Sequence, residues 1–85
     1  MVVSGDVQGV WFRETCRRRA EEEGVAGFVR NRSDGRVEAE FEGDAAAVER
    51  MIDWCRSGPP RADVRGVEVE PLEPAGDGAA RFNVR

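Results

Sequence analysis

The chain has 85 residues, of which 40% are hydrophobic and 35% charged, with a net charge of −4. That length holds one small domain with a modest core, so a single domain over residues 1–85 is expected. No apolar run approaches the roughly 20 residues of a membrane-spanning helix, and no basic-then-apolar leader opens the sequence, so a cytoplasmic protein is expected.

Three residue types are missing: His, Lys and Tyr. Without His there is no imidazole base, and most catalytic metal sites are excluded. Without Lys there is neither Schiff-base chemistry nor the Lys-bearing phosphate loop of nucleotide hydrolases. All 13 basic residues are therefore Arg, permanently protonated and suited to phosphate or carboxylate. The 17 acidic residues outnumber them, which disfavours nucleic acid as a partner. The two cysteines, Cys16 and Cys55, fall on apolar helix faces and read as buried, reduced thiols.

In chain order, residues 1–4 are expected as a short strand and Gly5 to Trp11 as a glycine-punctuated loop. A helix follows from about Phe12 to Glu23. Its apolar stripe is Phe12, Cys16 and Ala20, and Gly24 stops it. Residues 25–31 form a second strand, and Ser33-Asp34-Gly35 a hairpin turn. Val37, Ala39 and Phe41 alternate with Glu38, Glu40 and Glu42, the pattern of a half-buried strand. Asp44 caps a second helix over Ala45 to Arg56, whose buried stripe is Val48, Met51, Ile52 and Cys55. Ser57-Gly58-Pro59-Pro60 ends it. A fourth strand is expected over Val64 to Glu70 with Val67 and Val69 inward, then a loop from Pro71 to Gly78. The last strand puts Ala80, Phe82 and Val84 on one side and Arg81, Asn83 and Arg85 on the other. The fold class is α+β: a ferredoxin-like split βαβ, β-α-β-β-α-β plus a short terminal strand. Two helices cover one face of a mainly antiparallel sheet. Glu38, Glu40, Glu42, Glu68 and Glu70 lie on the open face, with Arg81 and Arg85 as expected cross-strand partners.

Strand order then brings two distant segments together. In a split βαβ unit the first two strands run in the same direction with the third between them. The loop Gly5 to Arg13 and the residue Asn31 therefore meet at one rim, two strand spacings or about 9–10 Å apart. Gly5 and Gly9 let N–H groups turn inward as a nest. The first helix adds its free N–H groups and positive dipole end, and Arg13 adds a forked donor. The sum is an anion site of phosphate geometry. A glycine-containing turn beside an exposed Arg is the plainer reading of the same residues.

The segments Gly5–Arg13 (GDVQGVWFR), Gly24–Asn31 (GVAGFVRN), Asp34–Glu38 (DGRVE) and Gly58–Val64 (GPPRADV) together resemble the acylphosphatase family, in its order and spacing and over nearly the whole chain. The resemblance implies a small enzyme without metal or cofactor that hydrolyses carboxyl-phosphate anhydrides to carboxylate and inorganic phosphate. By the family's motifs Arg13 binds the phosphate, Asn31 positions the attacking water, and the cradle is Gln8, Gly9, Val10, Trp11, Phe12 and Arg13. The implied partner is a small-molecule acyl phosphate, with no nucleic acid or membrane, and a monomer is expected. Such chemistry suits a chain without His. A carboxylate leaves as a stable anion, so the protein has only to hold the phosphoryl group, stabilise its charge and place a water.

Three features stand beside the motif. Only four residues precede Gly5, which predicts a short first strand. Asp6 sets a carboxylate next to the cradle. Trp11 puts a large ring at the loop–helix junction, where it could shape the acyl side of the pocket but packing is the expected role. The run Arg17-Arg18-Arg19 ahead of Glu21-Glu22-Glu23 reads as a solvated face with weak i,i+4 pairs. Trp54 lies off the main stripe of the second helix, as partly exposed packing. Two other functions fit a fold of this class. A base-stacking module would have Phe28 as its one platform ring on an acidic face, and a non-catalytic domain of this kind could belong to a larger maturation protein.

Overall fold

The computed structural model describes residues 1–70 and 81–85. The elements run β1 (Val2–Asp6), α1 (Phe12–Glu23), β2 (Ala26–Asn31), β3 (Val37–Glu42), α2 (Ala45–Ser57), β4 (Asp63–Glu68) and β5 (Phe82–Val84). The loop expected over Pro71–Gly78 and the inward position given to Ala80 lie outside the described residues.

One sheet carries all five strands in the order β4-β1-β3-β2-β5. β1 pairs antiparallel with β3 and β4, β2 pairs antiparallel with β3, and β5 joins β2 in parallel. Both helices lie on one face, α1 over β2 and β5 and α2 over β4. This is the expected split βαβ arrangement.

The local causes are the expected ones. Phe12, Cys16 and Ala20 are spaced by four and buried along α1. Gly24 ends that helix at φ 70°, with its N–H turned back to the Ala20 and Glu21 carbonyls. The Asp44 side chain accepts from the Ala47 N–H at 3.4 Å and starts α2. Val37 and Ala39 are buried and Glu38 and Glu40 are not, so period two marks the core face of β3. On α2 the fully buried line is Ala47, Met51 and Cys55. Val48 and Ile52 flank it half-buried, so the expected stripe rotates by part of a turn. Trp54 is half-buried against Phe12, ring centroids 5.2 Å apart, and fastens the helices together.

Three expectations need correction. β1 does not end at Ser4; it continues through Gly5 and Asp6, which pair with Val64 and Asp63. A side chain at Gly5 would run into the Asp63 carbonyl oxygen, so Gly5 is required by a close strand contact and takes no part in the turn. β4 covers Asp63–Glu68, and Val69 lies beyond it, 42% exposed. The strand ends there because its partner β1 begins at Val2, which faces Glu68. Earlier in β4 a bulge intervenes: Ser4 faces Gly66 while Gly5 faces Val64, so Arg65 has no partner on β1. An extra residue reverses the alternation, and Val64 and Val67, three apart, both turn toward the core. On the open face Arg30 takes Glu38 as its ion-pair partner, and Arg85 covers Phe28 with its guanidinium carbon 4.1 Å from the ring centroid. Arg85 therefore does not serve the acids, and the ring read as a stacking platform is occupied from within the chain.

The Arg run of α1 is a paired surface, as expected. Arg17 bridges Glu14 and Glu21. Among the described residues, no helix is long and apolar enough to cross a membrane.

Candidate active site

β1 and β2 both run antiparallel to β3, which lies between them, so they share a direction and finish at one rim. The chain leaves β1 at Asp6 and enters α1 at Phe12. The five residues between are held from below by Val7, which is 1% exposed. Above it φ changes sign at each step: positive at Gly9 (73°), negative at Val10, positive at Trp11 (65°), then helical from Phe12. Alternation of this kind turns successive N–H groups to one side and makes a concave anion nest.

The hydrogen bonding agrees. Among the described residues, no N–H from Gln8 through Glu14 donates to a protein acceptor, and the first helical N–H with an acceptor is that of Thr15, to the Trp11 carbonyl. Trp11, the N-cap of α1, offers no side-chain cap either. The free donors of the nest and the helix end are thus contiguous, with the positive end of the helix dipole behind them.

Most cradle side chains are committed elsewhere. Phe12 is in the core, Val10 packs against it, and Gly9 has no side chain. The Gln8 carboxamide nitrogen donates to the Arg32 carbonyl at 2.8 Å and to the Arg36 carbonyl at 3.0 Å. Arg13 remains. It is half-buried, and one terminal nitrogen lies 3.5 Å from the main-chain oxygen of Arg85. The Arg85 N–H in turn donates to the Val29 carbonyl at 2.9 Å, which places the guanidinium at the β2–β5 end of the rim. Among the described residues no acidic side chain pairs with Arg13.

Asn31 is the last residue of β2, and its register with Val37 puts it on the helix face, in line with the buried Val29. Among the described residues its Oδ1 is buried without a hydrogen-bond partner. An unpaired buried acceptor costs about 1–3 kcal/mol, so this oxygen calls for a donor beyond those residues. Arg13 and Asn31, 18 positions apart in the sequence, stand at the same rim.

The Acylphosphatase family model matches residues 1–84. The chain is 61% identical over 83 residues to the acylphosphatase of Rubrobacter xylanophilus, covering 98% of this chain and 74% of that protein. It superposes on the crystal structure of acylphosphatase from Bacillus subtilis with a TM-score of 0.83 at 34% identity, covering 99% of this chain and 92% of the other. The chain belongs to the acylphosphatase family. The same fold superposes on 11% of full-length HypF in its phosphate- and nucleotide-bound form, with a TM-score of 0.85, 27% identity and 99% of this chain covered. The acylphosphatase fold is thus found both alone and inside a much longer chain.

Within this acylphosphatase fold one feature differs from expectation. Trp11 does not pack: it is 70% exposed and is the one non-glycine residue with positive φ among the described residues. Asp6 is exposed on β1, where water and salt screen its carboxylate from the cradle. Sequence reasoning also missed the link from Gln8 to the β2–β3 hairpin. Its acceptors are main-chain carbonyls 24 and 28 residues away, and carbonyls leave no mark in a sequence.

Proposed function

We propose that the family's reaction, hydrolysis of an acyl phosphate to carboxylate and phosphate, runs at this rim with Arg13 and Asn31 in separate roles. The phosphoryl group sits on the N–H groups from Gln8 to Arg13, and the Arg13 fork holds its outer oxygens. The Asn31 Oδ1 accepts a hydrogen bond from a water and holds it in line with the scissile bond. The water oxygen bonds to phosphorus as the bond from phosphorus to the carboxylate oxygen breaks, and the carboxylate leaves with the electron pair. The water's proton passes to a phosphoryl oxygen, giving dihydrogen phosphate. A carboxamide is no base, and none is required for so good a leaving group.

The orphaned Asn31 oxygen carries this reading. It is the kind of buried acceptor that a catalytic water would satisfy, and it lies at the rim where the nest opens. The same reading has the chain working as a cytoplasmic monomer on a small acyl phosphate, apart from nucleic acid and membranes. Benzoyl phosphate and the purified chain test it. Turnover that Arg13→Ala nearly abolishes, together with inhibition by inorganic phosphate, is the expected result. An inactive chain, or an Arg13→Ala variant as fast as the parent, overturns it.

A further inference from the structure

Trp11 combines two costs that a purely structural residue would avoid. Its backbone is left-handed, at φ 65° and ψ 17°. A bulky side chain in that region is strained where glycine is not. Its indole is also left in water, 70% exposed, and is the most exposed of the large hydrophobic side chains among the described residues. Neither cost is recovered through core packing.

The reaction geometry says what the ring is for. In-line displacement puts the entering water and the departing group on opposite sides of phosphorus. The proposed water side is the Asn31 oxygen, buried at the end of β2. The acyl group must therefore leave from the solvent side of the nest. Trp11 supplies an N–H of that nest, so its ring departs from the rim of the phosphate site and stands on the solvent side.

We infer that the Trp11 indole is the platform for the acyl group, and that it selects acyl phosphates whose acyl part is flat and apolar, aromatic above all, over small acyls such as acetyl. This rests on the proposed acyl phosphate hydrolysis and adds its specificity. An aromatic acyl group stacked on the indole gains about 0.5–1.5 kcal/mol beyond its burial, a factor of about 2–13. A two-carbon acyl group has no face to offer.

The test is the ratio of kcat/KM for benzoyl phosphate to that for acetyl phosphate, measured on the parent chain, Trp11→Ala, Trp11→Gly and Trp11→Phe. The ratio is unaffected by the fraction of enzyme folded and by any loosening of the nest, since both substrates carry the same phosphoryl group. The expected result is a fall of about 3–10-fold in both Trp11→Ala and Trp11→Gly, with Trp11→Phe close to the parent. The glycine variant also removes the backbone strain, so an equal fall in both separates the ring from the strain. A ratio that stays at the parent value in Trp11→Ala and Trp11→Gly overturns the inference while leaving acyl phosphate hydrolysis intact. A parent chain that turns over neither substrate overturns both.

Discussion

The side-chain amide of Gln8 reaches across the rim to the Arg32 carbonyl at 2.8 Å and so fastens the phosphate turn to the residue that follows Asn31. A second bond from the same nitrogen, to the Arg36 carbonyl at 3.0 Å, closes the fork on the other side of the hairpin, where Arg32 and Arg36 are already joined by their own main-chain bond of 2.8 Å. The nest and the strand end that carries Asn31, to which we assign the phosphate and the water, are thereby one unit. Gln8→Ala should cost about 1 kcal/mol of stability and lower kcat/KM about tenfold through misplacement of the two halves. Gln8→Glu should do worse, because a carboxylate cannot donate to the carbonyls. Urea unfolding and steady-state kinetics on the same preparations check both effects.

Arg13 and Asn31 should separate in kinetics. Arg13→Lys keeps the charge and loses the fork, so turnover should fall nearly as far as in Arg13→Ala. Asn31→Ala should lower kcat by about 100-fold or more while the inhibition constant for phosphate stays within about twofold. Its stability should hold or rise, since the variant deletes an unpaired buried oxygen. A large loss of stability would instead mark Asn31 as a structural residue.

Asp34, in the β2–β3 turn, gives a prediction in pH. The Arg36 side chain, bound at 2.6 and 2.9 Å, the Arg36 N–H at 3.1 Å and the nearby Arg32 charge hold its carboxyl at about 2. A carboxyl depressed on folding stabilises the folded chain above its unfolded pKa of about 3.9. That contribution disappears as pH falls through about 2. The melting temperature of Asp34→Asn should lie below the parent's at pH 7, and the gap should close between pH values of about 4 and 2. The gap should also narrow with added salt, since the pair is at the surface.

Cys16 and Cys55 face one another from the two helices, both at 0% exposure. A hydrogen bond with Cys55 and burial push the Cys16 thiol far above the ordinary range. Thiol reagents at neutral pH should label neither residue in the folded chain and both in denaturant, as mass spectrometry would count. Fast labelling of the native protein would contradict the buried pair.

Gly27 lies between Phe41 and Phe82 in the sheet register, and those two rings stack at 5.8 Å across it. Its φ of 132° and the Glu40 carbonyl oxygen beside it leave no room for a side chain. Gly27→Ala should therefore destabilise the fold by at least about 1 kcal/mol, read from urea unfolding.

Much of this molecule was decided locally and could be read from the chain alone. The spacing by four of Phe12, Cys16 and Ala20, the alternation from Val37 to Glu42, the stop at Gly24 and the cap at Asp44 are properties of neighbouring residues, and helix and strand periods follow from them. Strand order carried that reading one step further and brought Arg13 and Asn31 to a common rim. Tertiary structure alone decided which donors and acceptors go unpaired, because that depends on segments far away in the chain. It tied Gln8 to the hairpin, left the Asn31 oxygen without a partner among the described residues, ended β4 at Glu68 where β1 gives no further partner, and set Trp11 in a left-handed turn with its ring in solvent. A side chain's surroundings come from every strand and helix that reaches it, and periodicity along one segment says only which way that segment faces.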